Sequence, residues 1–108
     1  MDIEKLIKDL KDTLLNLLGN KYKEFKPEIQ KDIADFIKQS EEKLKRWILL
    51  LADGSLTKEE FEWLLKSQRD LVALKTIQAT GISKIRINNI KNSILKTIFD
   101  VVIAAVLK

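Results

Sequence analysis

Apolar residues recur along this chain in four stretches with helical spacing, each bounded by residues that start or stop helices. Ile3, Ile7, Leu10, Leu14 and Leu17 alternate steps of four and three, with Leu6 and Leu18 widening the stripe and Leu15 outside it. Asp2 is a good N-cap and Gly19 a C-terminal stop, so the spacing predicts a first helix over 2–18. Tyr22 and Phe25 in the following linker are expected to fold back on the body. Pro27 then suits the first turn of a second helix, where its missing N–H would have no partner.

In that second helix, predicted over 27–52, Ile29, Ile33, Phe36, Ile37, Leu44, Trp47, Ile48 and Leu51 hold one face. Lys31, Asp32, Asp35, Lys38, Glu41, Glu42 and Lys45 populate the other. The Asp53–Gly54 pair ends it. Thr57 and Glu60 then have capping-box spacing, with Leu56 and Phe61 at the two positions of a hydrophobic staple.

A third helix is predicted over 57–80, with two apolar faces. Phe61, Leu64, Leu65, Leu71 and Val72 line one, while Trp63, Leu74 and Ile77 fall nearly opposite at about 100° per residue. Such a helix is either sandwiched within its own fold or exposes an apolar strip to a partner. Gly81 breaks it and Ser83 caps a fourth helix over 83–107. There Ile87, Ile90, Ile94, Leu95, Ile98, Phe99, Val102 and Val106 oppose Asn89, Asn92, Ser93, Lys96, Thr97 and Asp100. Ile103 and Leu107 land on the polar side, so the last two turns are apolar nearly all round and need a cover. The fold expected is all-α, an antiparallel four-helix bundle forming a single domain over 1–108.

Composition narrows the chemistry. The 108 residues contain no cysteine and no histidine, which removes disulfides, thiol nucleophiles, histidine bases and the usual zinc and haem ligands. No glycine-rich phosphate loop or nucleophile elbow occurs. A non-enzyme is therefore expected, with no catalytic, metal-binding or cofactor-binding residues, no cofactor and no small-molecule substrate. The N-terminal stretch interleaves acids with apolar residues and does not look like a signal peptide, which makes the cytoplasm the default location. The run Ile98–Leu107 is about half of the roughly 20 residues that a bilayer span needs.

The acids occur in groups: Asp32 with Asp35, Glu41 with Glu42, and Glu59, Glu60 and Glu62. A di-metal carboxylate bundle would add Glu-x-x-His pairs, so these acids read as solvated or capping residues. The string Asp53–Phe61 resembles the back half of an EF-hand calcium loop. The first and third ligand positions of such a loop would be Leu49 and Leu51, which carry no oxygen, so the string reads as a turn before a capped helix.

Net charge is +4, and the excess lies in the last quarter, where Lys84, Arg86, Lys91, Lys96 and Lys108 face only Asp100. Within it, Gly81, Ile82, Ser83, Ile87 and Ile90 resemble the second half of the helix-turn-helix of bacterial repressors. That resemblance implies that Lys84, Arg86, Asn88 and Asn89 face DNA. The first half departs from the pattern at Thr76, Ile77 and Thr80. In general character the C-terminal helix also resembles a cationic amphipathic helix at a membrane surface, although its lysines are spread around it.

Trp47 and Trp63 read as core or interface anchors. The leading expectation is an interaction module that self-associates as a homo-oligomer or docks a protein partner through Trp63, Leu74, Ile77, Ile103 and Leu107, the apolar residues off the main stripes. Peripheral membrane association and DNA binding are the alternatives.

Overall fold

The computed structural model describes residues 2–69 and 72–107, and these are helical with no strand among them. The α-helices are α1 (Ile3–Lys21), α2 (Lys26–Ala52), α3 (Lys58–Ser67), α4 (Lys75–Gln78) and α5 (Lys84–Val106). A 3-10 turn, Lys23–Phe25, joins the first two. The ends follow the local signals closely. The Asp2 carboxylate accepts the Lys5 N–H at 3.1 Å, and the Ser83 hydroxyl accepts that of Arg86 at 3.3 Å. Gly54 and Gly81 both take φ of +84°, the left-handed conformation that lets the chain turn out of a helix.

Two features of α1 depart from the pattern. The helix runs through Gly19 to Lys21 and closes where the Tyr22 N–H donates to the Leu18 carbonyl at 2.9 Å. Gly19 is buried in helical conformation, and burial of Leu18 and Tyr22 around it offsets the roughly 1 kcal/mol that a mid-helix glycine costs. Leu17 is exposed and Leu18 inward, because a straight helix drifts away from a strict heptad seam over four turns.

The helices wrap a continuous core, in a body measuring 43 × 24 × 21 Å. α1 and α2 run antiparallel, with Lys45 of α2 against Glu4 of α1 at 2.6 Å. α5 starts at the turn between them, where Arg86 meets Glu24 at 2.6 Å, and returns along α1. After Gly54, α3 doubles back along α2, and Lys43 donates to Gln68 at 3.4 Å. α3 also leans on α5, with the Phe61 and Phe99 rings stacked at 6.0 Å. Leu10, Leu14, Ile33, Ile48, Phe61, Ile77, Ile90, Ile94 and Ile98 are wholly enclosed. Among the described residues no helix is long and apolar enough to cross a membrane.

The single helix expected over 57–80 is instead two. α3 stops at Ser67, whose hydroxyl donates to the Leu64 carbonyl at 2.6 Å, and α4 starts at Lys75. The phase of the apolar residues explains the break. Kept helical throughout, the segment would aim Leu74 and Ile77 away from Phe61 and Leu65; broken, it turns Val72, Leu74 and Ile77 into the core. Each such burial is worth about 2 kcal/mol, against a net of about 1 kcal/mol for each helical hydrogen bond given up. Leu71, expected on the Phe61 face, lies outside the described residues.

A residue far away in sequence completes the break. Asp32 of α2 is only 2% exposed and accepts the Thr76 N–H at 3.0 Å and the Ile77 N–H at 2.9 Å, capping α4 from a neighbouring helix. The expectation of a solvated Asp32 is thus corrected, whereas its neighbour Asp35 is exposed. Asp32→Ala strands two donors, one buried and one partly so, and should lower unfolding free energy by about 3 kcal/mol in urea titrations. Asp35→Ala should change it by less than about 0.5 kcal/mol. Equal effects would contradict the assigned role of Asp32.

Candidate interaction surfaces

The best-defined local construction is the start of α3. Thr57 accepts the Glu60 N–H at 3.0 Å, and Glu60 accepts the Thr57 N–H at 2.9 Å, so both halves of the capping box form. The hydrogen bonds that its carboxylate accepts from Thr57, the backbone N–H first, hold Glu60 below its ordinary range. Hydrogen bonding from Ser55, whose N–H lies 2.8 Å from Asp53 Oδ1, does the same for Asp53. The calcium-loop-like string therefore uses Asp53, Thr57 and Glu60 to hold its own turn and cap.

Fixed in this way, α3 turns Phe61 and Leu65 inward and leaves Trp63 outward, 69% exposed. Beside the indole, Leu56, Leu64, Glu59 and Glu60 bound a shallow depression of about 410 Å³. An indole removes considerable apolar area from water when covered, and here it stands exposed between apolar neighbours and acidic margins. The other flank of α3 forms one wall of a larger groove, about 530 Å³, whose opposite wall is α5. Glu62, Leu65, Lys66 and Arg69 line one side, and Asn92, Leu95, Lys96 and Phe99 the other. Lys66 pairs with Glu62 at 3.3 Å and Lys96 with Asp100 at 2.9 Å.

The five residues expected to dock a partner do not share a surface. Leu74 and Ile77 are corrected to core residues, 1% and 0% exposed, because the break between α3 and α4 turns them inward. Ile103 is half-buried and packs on the core together with Val101 and Val106, so the chain itself covers much of the apolar C-terminal end. Leu107 remains 44% exposed and Trp63 stands on α3. Trp47 is half-buried against the core.

Lys84, Arg86, Asn88 and Asn89 are all exposed near the start of α5, beside the exposed Ile85. Arg86 is engaged within the molecule. Its guanidinium lies 5.2 Å from the Phe25 ring centroid and 6.0 Å from that of Tyr22, and it donates to Glu24 at 2.6 Å. The segment preceding Gly81 contributes only the single-turn α4, shorter than the first helix of a helix-turn-helix.

Sequence reasoning passed over the groove residues. Their signal is a repeated spacing: 62, 65, 66, 69 and 92, 95, 96, 99 are each i, i+3, i+4, i+7 stripes. It emerges only once α3 and α5 are known to be neighbours. No family model, curated protein or solved structure matches the chain.

The Arg86–Glu24 pair makes a pH prediction. The Arg86 hydrogen bond holds the Glu24 carboxyl below its ordinary value of 4.5. Its contribution to stability is therefore present above that value and is lost as pH falls through the lower, folded-state value. In urea titrations, the midpoint difference between wild type and Arg86→Gln should be constant at neutral pH and shrink in acid. A difference that grows in acid would contradict the pairing.

Proposed function

We propose that this chain is a non-enzymatic protein-interaction module, an antiparallel helical bundle of four columns in which α1, α2 and α5 are three columns and α3 with α4 makes the fourth. Its docking surface is the outer face of α3 around Trp63, and a second copy of the chain is the partner to test first. The observation that carries this reading is the exposure of Trp63 at 69% on a firmly capped helix.

Three points support it. The indole sits beside Leu56 and Leu64, so a partner would cover contiguous apolar surface and not a lone side chain. The helix bearing it is held at its start by a reciprocal cap and underneath by Phe61 and Leu65, so little ordering is left to occur on docking. Glu59 and Glu60 at the margin favour a partner surface that carries cations, and Lys84 and Lys91, one above the other on α5, make such a surface available on another copy.

Light scattering on a sizing column across a range of concentrations tests the reading. Wild type should gain mass with concentration, and Trp63→Gln should remain monomeric with unchanged far-ultraviolet circular dichroism. A wild type that is monomeric throughout would contradict self-docking. Identical masses for wild type and variant at every concentration would show that Trp63 is not the anchor.

A further inference from the structure

We propose that the groove between α3 and α5 binds a small anionic amphiphile, with a carboxylate-type head held between Lys66 and Lys96 and an apolar body lying on Leu65, Leu95 and Phe99. The site is separate from the Trp63 face and does not depend on it.

The floor is apolar. Leu65 and Leu95 are buried, and Phe99 is half-buried, its ring braced by stacking on Phe61 and approached by Lys58 Nζ at 5.9 Å. At about 530 Å³ the groove falls within the range of roughly 300–1,000 Å³ typical of small-molecule sites. The α5 stripe, residues 92–99, extends over about 10 Å, two helical turns, which suits an extended acyl chain or a fused aryl group.

Charge selects the head group. Among the described residues Lys66 and Lys96 bring cations to the two walls, where Glu62 also lines the groove, with the Asn92 amide as a further donor. Lys66 and Lys96 stand on opposite walls, and the stems of both can lie along the apolar floor while their ammonium groups reach its rim. Each is held by one exposed pair along its own helix, at 3.3 and 2.9 Å. Such exposed pairs add little to stability, so an anion between the two ammonium groups replaces them at little cost. A cationic amphiphile meets the same floor with the wrong charge at the rim.

The test is calorimetric titration with decanoate below its micelle concentration, with backbone amide shifts followed by NMR, against decyltrimethylammonium as the tail-matched cation. Wild type should bind decanoate with shifts centred on residues 62–69 and 92–99, and bind the cation at least tenfold more weakly. Lys66→Gln with Lys96→Gln, both exposed and away from the core, should weaken decanoate at least tenfold. Lys8→Gln with Lys38→Gln, on the mixed-charge depression between α1 and α2, should leave binding unchanged. No decanoate binding, equal affinity for the two head groups, an unaffected Lys66/Lys96 variant or shifts centred elsewhere would each overturn the proposal.

Discussion

The buried carboxylate of Asp32 is the contact on which the second half of this fold depends. A helix N-terminus presents N–H groups that have no partner of their own, and a four-residue helix cannot hide them. α4 lasts one turn because α2 supplies the acceptor it lacks: both oxygens of Asp32 are used, on Thr76 and Ile77. Charge-assisted bonds of this kind are about twice as strong as neutral ones, which makes a buried acid tolerable at this position. With α4 anchored, Leu74 and Ile77 enter the core and Gly81 redirects the chain into α5.

The surfaces follow from that break. Because the chain leaves helical geometry after Ser67, α3 is short and bears on the rest of the molecule mainly through Phe61 and Leu65. One of its flanks is left to solvent with Trp63 upon it, and the other meets α5 across an open groove. A continuous helix over the same residues would have spent its length packing or exposing Leu74 and Ile77. The exposed indole and the cation-rimmed groove are thus consequences of one segment turning inward.

How much of this was legible in the sequence depended on distance along the chain. Caps and most stops were, since each involves residues no more than a few apart: Asp2, the Thr57–Glu60 box, Ser83, and the glycines at 54 and 81, but not Gly19, which α1 runs through. The all-helical class was legible for the same reason, its apolar spacing being a local property. Asp32 was not, because its partners are 44 and 45 residues away and its spacing within α2 places it among polar neighbours. The off-phase positions of Leu74 and Ile77 were a real signal, but periodicity alone does not separate a second surface from a bend that abolishes it. The groove required two helices to be brought together before its paired stripes could be seen.

Native-state hydrogen exchange at the Thr76 and Ile77 amides tests the central claim most directly, because these two groups report the Asp32 contact itself. If Asp32 pins α4, the Ile77 amide should exchange only through global unfolding, as slowly as amides in the middle of α2. If both amides exchange as fast as those of the exposed turn at Gly54 and Ser55, the contact does not hold the segment, and the account of the break between α3 and α4 is wrong.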